Sequence, residues 1–293
     1  MLNKQSILWN NTSLGLSRSP HLLVFCHSAF HMTDPSSLQA PSVQGAQSVT
    51  RVLRLLKLIG SAPARGAALG DLARDAGLTQ PTTHRMLAAL LQEGFVSVHP
   101  KLKTYTLGRE AYILGLAAER RHGLKEIAEA GLQRIAMETG DTAFLSIRSG
   151  DDAVCIDRKV GDFPIKILTL DAGHRRPLGI GAGSLALLSC LDDAEIEQIL
   201  QRHQSLTSPA RIDIDTLRQD IALTRKNGYA TNPGRIINDM AGIGIAVFDK
   251  KQNLCASLSV AAIRSRLSGQ QLQSALSLLK REARQLSQDL SRT

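Results

Sequence analysis

LGDLARDAGLTQPTTHRMLAALLQEGFVSVHPKLKTYTLG, residues 69–108, decides the fold of the chain around it. Leu69, Leu72, Ala73 and Ala76 recur at helical spacing and define one short amphipathic helix. Gly77 permits the backbone bend that ends it. Pro81 stands where a second helix begins, its fixed φ suited to a first turn. Met86, Leu87, Leu90 and Leu91 make the apolar stripe of that helix, and Gly94 stops it. Phe95, Val96 and Val98, then Tyr105 and Leu107, read as two short strands joined by a tip of His99, Pro100, Lys101, Leu102 and Lys103. Two helices at this spacing followed at once by a basic hairpin predict a winged helix-turn-helix, with the second helix as the recognition helix.

The outward side of the second helix is read as Gln80, Thr82, Thr83, His84 and Arg85. In such motifs the N-terminal residues of the recognition helix meet base edges in the major groove. Glutamine can pair bidentately with adenine, arginine with guanine, and a threonine methyl can touch thymine. Lys101 and Lys103 on the hairpin tip suit phosphate or minor-groove contact.

Working outward, residues 48–59 form a preceding helix with a stripe of Val49, Val52, Leu53, Leu56 and Ile59, and residues 61–66 form a loop. Residues 1–46 show little sign of a fold. His21, His27 and His31 lack acidic or thiol companions for a metal. Met32 opens a polar arm leading naturally into the first helix, so translation is expected to start there. The charge is unevenly spread: 11 Lys and Arg against 5 Asp and Glu over residues 47–121, but 22 against 20 over residues 122–293. A basic first domain joined to a nearly neutral second one is the footprint of a nucleic-acid reader coupled to something else. Cys26, Cys155, Cys190 and Cys255 show no metal or redox spacing and read as reduced thiols of a cytoplasmic protein. No stretch approaches the roughly 20 apolar residues of a membrane span.

The segments SVTRVLRLLKLI, LGDLARDAGLTQPTTHRMLAALLQEGFV and YTLG resemble the DNA-binding domain of the IclR family of bacterial transcriptional regulators. That family's recognition helix typically reads leucine, proline, lysine, serine, threonine, a small residue, histidine, arginine, leucine, leucine. Here the positions read Leu78, Thr79, Gln80, Pro81, Thr82, Thr83, His84, Arg85, Met86 and Leu87. The histidine–arginine pair is kept and the proline has moved. Residues 109–121 form a further helix with a stripe through Ile113, Leu116 and Ala117. The resemblance implies that this linker helps DNA-binding domains dimerise.

From residue 122 the pattern becomes mixed. Helices are expected at 127–139, 181–190, 194–201, 216–227 and 270–290, and strands at 143–148, 153–159, 164–170, 243–248 and 254–260. The layout resembles the family's GAF-like effector-binding domain, giving an α+β chain: an arm (1–46), a winged helix-turn-helix (47–108), a linker helix (109–121) and an effector-binding domain (122–293). The turn HRRPLGIGAGS (174–184) is its most informative piece. Gly179, Gly181 and Gly183 precede a helix whose free N–H groups would attract a carboxylate. The same glycines also suit a helix start packed tightly under a sheet, serving clearance alone. By resemblance, members that bind small organic acids use a glycine–alanine pair, an acidic residue, a cysteine and two serines. These fall on Gly181 and Ala182, then Asn232, Gly242, Ser259 and Ala261. Only the first pair and Ser259 match, which implies a roomier, less polar pocket and an acid larger than pyruvate or glyoxylate, aromatic or branched.

The expected function is a ligand-responsive regulator that binds a pseudo-palindromic operator in double-stranded DNA as a homodimer or tetramer, without cofactor or metal. The alternative is an enzyme acting on a small carboxylic acid, tethered by a DNA-binding domain. No nucleophile elbow, P-loop, paired-histidine metal site or dinucleotide fingerprint supports it. Asp151, Asp152 and Asp157 read as turn and strand-end charges, and His122, His174 and His203 have no evident partner. An effector-free architectural DNA binder is a third reading, excluded by a tight small-molecule ligand.

Overall fold

The computed structural model describes residues 46–204, 213–235 and 237–292. The expectations placed on the N-terminal arm, including His21, His27, His31, Cys26 and the Met32 start, lie outside the described residues.

The first domain is built from α1 (Gln47–Gly60), β1 (Ala67–Ala68), α2 (Leu69–Ala76), α3 (Gln80–Gln92), β2 (Val96–Val98) and β3 (Thr104–Leu107). Gly77 adopts the left-handed conformation, φ +67°, that closes α2. Thr79 caps α3, its hydroxyl accepting from the Thr82 N–H at 3.4 Å. The strands form an antiparallel sheet in the order β1-β3-β2. The two-residue β1 is too short to leave a pattern and falls just after the expected loop. Leu55, Ile59, Leu72, Ala76, Leu87, Leu90, Val96 and Tyr105 make one core. The stripe expected on α1 is shifted: Leu55 is fully buried, whereas Val49 and Leu53 are exposed. Val52, Leu56 and Ile59 of that stripe do pack on the core, and the helix carries further apolar residues on its outer side.

α4 (Arg109–His122) is the expected linker helix, and its Tyr112, Ile113, Leu114 and Leu116 are all exposed in the single chain. The second domain follows with α5 (Leu124–Thr139), β4 (Thr142–Ser149), β5 (Asp152–Val160), β6 (Arg175–Pro177), α6 (Ala182–Ser189), α7 (Asp193–Gln204), α8 (Ile214–Asn227), β7 (Ala230–Asn232), β8 (Met240–Phe248), β9 (Leu254–Ile263) and α9 (Gly269–Asp289). Its six strands run antiparallel in the order β6-β5-β4-β9-β8-β7. The period-2 alternation of strands divides the sheet into two faces. Ala143, Leu145, Ile243, Ala256, Leu258 and Val260 pack on α5 and α9. The intervening Phe144, Ser146, Gly242 and Ser259 turn to the other face, over which α6 lies. Every residue of α6 is buried, as its apolar composition requires.

Residues 164–170, expected as a strand, are irregular, and the third strand of the sheet's first half is β6. Pro164 has no N–H to give a ladder. The segment's carbonyls are satisfied by arginines instead: Arg158 Nη1 donates to Leu170 O and Arg176 Nη2 to Thr169 O, each at 2.7 Å. Ile167, Thr169 and Leu170 turn toward a cavity.

Candidate functional site

Two sites emerge. On α3, Gln80, His84 and Arg85 are exposed and Thr82 is half-buried. Thr83 does not join them. It is fully buried, and its hydroxyl donates to the Thr79 carbonyl at 3.0 Å. Its position one turn before Leu87 places it on the inner stripe, so the expected outward role is corrected. Arg85 makes no ion pair among the described residues and is available to an external partner. The hairpin tip is held by His99, whose Nδ1 accepts from the Lys101 and Leu102 N–H groups at 3.3 and 3.2 Å. Lys103 takes φ +54°, a left-handed turn conformation, and both lysines stand exposed. Gln80, His84, Arg85 and the two lysines are thus presented on the surface, while the Thr82 hydroxyl is already hydrogen-bonded to that of Thr79 at 2.9 Å.

The second site is a cavity on the α6 face of the six-stranded sheet. About 60 Å³ is open to the centre of a water-sized sphere, and the whole hollow including its mouth measures about 630 Å³. Gly181, Ala182, Asn232, Gly242, Ser259 and Ala261, six positions spread over 81 residues of sequence, all line it. Gly181 sits at the helix N-cap with φ +89° and offers no side-chain cap, so the first N–H groups of α6 lack an internal acceptor from that residue. Its apolar walls are Phe144, Ile167, Leu170, Ile180, Ile237 and Met240.

Close packing sets the cavity's edge. A Cβ on Gly244 would lie 2.6 Å from the Ala182 backbone, and one on Gly183 would lie 2.8 Å from Ser259 Oγ. These glycines let the start of α6 press onto β8 and β9. The clearance role and the N–H display thus coexist at one turn. Gly242 adds no free space: a Cβ there would meet Ala182 Cβ at 3.3 Å. Asn232 also differs from a free polar arm. Its Oδ1 accepts from the Gly234 and Arg235 N–H groups at 3.1 and 2.9 Å, holding its own turn.

Matching family models cover most of this architecture. The IclR helix-turn-helix domain matches residues 48–100, and the bacterial transcriptional regulator IclR C-terminal model matches residues 116–288. The chain belongs to the IclR family. It is 28% identical over 242 residues to the transcriptional repressor IclR of Escherichia coli K12, covering 80% of this chain and 86% of that one. A crystal structure of an IclR-family regulator from Alicyclobacillus acidocaldarius superposes with a TM-score of 0.67 at 26% identity, over 83% of this chain and 98% of that one. A homologue from Microbacterium hydrocarbonoxydans, crystallised with 4-hydroxybenzoate, shares the fold with a TM-score of 0.64 at 20% identity, over 83% and 98% of the two chains. This IclR-family chain is a DNA-binding transcriptional regulator with a C-terminal effector-binding domain, and not an enzyme.

The acidic residues weighed for catalysis have structural partners. Asp151 pairs with Arg202 at 2.5 Å and Asp152 with Arg175 at 3.3 Å. Asp157 lies inside β5 and not at its end, buried beside Lys159 at 3.5 Å. His203 is buried, and burial lowers its pKa. Cys155 is buried in β5 and its thiol is pushed up to about 12, chiefly by desolvation. No helix of the described residues is long and apolar enough to cross a membrane.

Two polar lining residues on the strands are not among the expected effector contacts. Ser146, on β4, is buried and lines the hollow; Arg176, on β6, is half-buried and lines it too. Their signal was strand alternation, which cannot be applied before β4 and β6 are placed.

Proposed function

We propose that this regulator senses a small organic acid in the α6 cavity and converts its binding into a change in operator affinity. The observation that carries the reading is the convergence of uncapped α6 N–H groups and buried hydroxyls on an apolar hollow. Ser146 and Ser259 are both buried residues that line the hollow. Buried polar groups are normally partnered, and a carboxylate on the helix N-terminus supplies acceptors for such donors. Gly181, Ala182, Asn232, Gly242, Ser259 and Ala261 form the effector contacts, with an apolar acid body, aromatic or branched, against the walls. The homologue crystallised with 4-hydroxybenzoate offers a precedent for an aromatic acid on this fold.

On the DNA side, Gln80, Thr82, His84 and Arg85 read base edges, while Lys101 and Lys103 take the backbone. The exposed apolar face of α4 suits burial against a second copy, giving a homodimer whose two recognition helices meet half-sites of a pseudo-palindrome. The effector acts by binding one arrangement of the dimer better than another.

Fluorescence anisotropy on the DNA upstream of the protein's own gene tests the reading, at two salt concentrations and with a panel of organic acids. Sequence-preferring, salt-sensitive binding shifted by an acid is the expected result. DNA binding unmoved by every acid would overturn the sensing half.

A further inference from the structure

We propose that the cavity recognises a dicarboxylic acid, with Arg176 taking the second carboxylate. This rests on the reading of the cavity as an acid site and narrows the acid to one class.

Four arginines stand near the 161–174 segment, and their partners differ: Arg266 lies over the Phe163 ring at 3.9 Å and pairs with Asp141 at 3.0 Å. Arg158 reaches Asp171, at 3.4 Å, as well as the Leu170 carbonyl. Arg175 pairs with Asp152 at 3.3 Å and with Ser149 Oγ at 3.0 Å. Arg176 has one neutral partner, the Thr169 carbonyl, and no carboxylate among the described residues. Neighbouring positions on β6 face opposite ways, so Arg175 turns out to its ion pair while Arg176 turns into the hollow, across from Ala153. The small side chain opposite leaves the guanidinium room to reach inward. Burial lowers the Arg176 pKa from its ordinary value, yet an arginine keeps its proton at any physiological pH. A half-buried guanidinium with four unused N–H donors is a recognition group for a planar carboxylate.

The cavity's charge is one-sided. Among the described residues no aspartate or glutamate lines it. It carries two positive features on different elements. Arg176 is on β6, and the first turn of α6 packs on β8 and β9 while its Ser184 hydroxyl donates to the Pro177 carbonyl at 3.0 Å. A single carboxylate satisfies one pole and leaves the other desolvated. A diacid with an apolar spacer satisfies both while its middle lies against Phe144, Ile167 and Ile180. The open volume of about 60 Å³ holds on the order of four to six waters, which suits a compact diacid.

Isothermal titration of the full chain with matched pairs tests this: propanoate against malonate, and butanoate against succinate. Wild type is expected to bind a diacid about tenfold or more tighter than its monoacid partner, the equivalent of one charge-assisted bidentate contact. Arg176→Leu should abolish that preference while leaving monoacid binding within about threefold, and Arg176→Lys should restore part of it. Equal binding of both acids by wild type overturns the proposal and leaves the acid-site reading standing. So does an Arg176→Leu loss shared equally by both acids, which would assign Arg176 only to pinning Thr169. Binding of no acid of either kind overturns the acid-site reading and the proposal with it.

Discussion

The two functional regions of this chain solve opposite problems. The recognition helix holds its working residues, Gln80, Thr82, His84 and Arg85, within six positions of one helix start, three of them exposed and Thr82 half-buried. The effector cavity gathers its residues from α6, β4, β6, β7, β8 and β9 onto a buried face. In the first region Gln80, His84 and Arg85 are exposed and free to act, and only Thr82 is held, by Thr79. In the second, a side chain is positioned by packing so tight that single glycines decide whether the site closes. Substitutions should therefore fail in different currencies, affinity on one side and folding on the other.

The largest effect is expected where backbone meets backbone. Gly244→Ala puts a Cβ 2.6 Å from the carbonyl of Ala182, an atom with no flexible end to move. Urea unfolding should show a loss of about 3 kcal/mol, the upper part of the range for overpacking. The matching change Gly77→Ala meets nothing within 4 Å and violates only a φ of +67°, so it should cost about 1 kcal/mol. Equal losses at the two glycines would erase the distinction between a glycine held for space and one held for conformation.

Arg85→Ala comes next. It should weaken operator binding by about 2 kcal/mol, roughly thirtyfold, and relax preference at one base position. Its urea midpoint should stay put, since Arg85 is exposed and makes no internal pair. Thr83→Val should do the reverse, lowering stability by about 1 kcal/mol through a lost buried hydrogen bond and leaving base preference intact. A change of base preference on Thr83→Val would show that its methyl reaches DNA despite its burial.

That inversion also marks how far the sequence could be read. Helical periodicity locates α2 and α3 because both carry a clear stripe and marked ends, Gly77, Pro81 and Gly94. It misplaced Thr83 because a threonine on the inner edge of a stripe looks polar until its hydroxyl is seen bonding one turn back. In the second domain, the residues implied by family resemblance do share one cavity. Their environments were not legible: Asn232 spends its oxygen on a turn, and the absence of a Cβ at Gly242 gives contact with Ala182 and not room. Arg176 was hidden for a different reason. The run at 164–170 has strand composition, so the true edge strand, three residues long, was overlooked together with the side chain it aims inward.

Away from both sites, Glu282 joins α9 to α5. Its side chain is 3% exposed, with Arg134 at 2.7 Å and Arg281 at 2.9 Å. Burial pushes its pKa up, but the two arginines prevail and hold it below the ordinary carboxylate value. A carboxylate depressed in the folded state adds stability that is complete above its unfolded pKa and is lost as pH falls through its folded one. Glu282→Gln should cost about 1.5 kcal/mol at pH 7, discounted because both arginines are half exposed. The difference from wild type should shrink as pH drops below about 4.5. A constant difference down to pH 3 would mean that the glutamate acts by shape and not by charge. Either way, operator binding at pH 7 should not distinguish the two proteins under conditions where both are folded.

The smallest effect belongs to the open surface. Lys101 is exposed on a tip ordered by His99, so its truncation should leave the fold alone. Each phosphate neutralised by a lysine releases condensed counterions, and Lys101→Ala should lower the slope of log affinity against log salt by about 0.9. Because a phosphate contact carries no sequence information, the loss should be the same on operator and on random DNA. That sets it apart from Arg85→Ala, where the operator alone should suffer the larger share. A Lys101 effect confined to the operator would move the hairpin tip from the backbone into a groove. The division between a reading helix and a merely anchoring wing would then have to be redrawn within the DNA-binding domain itself.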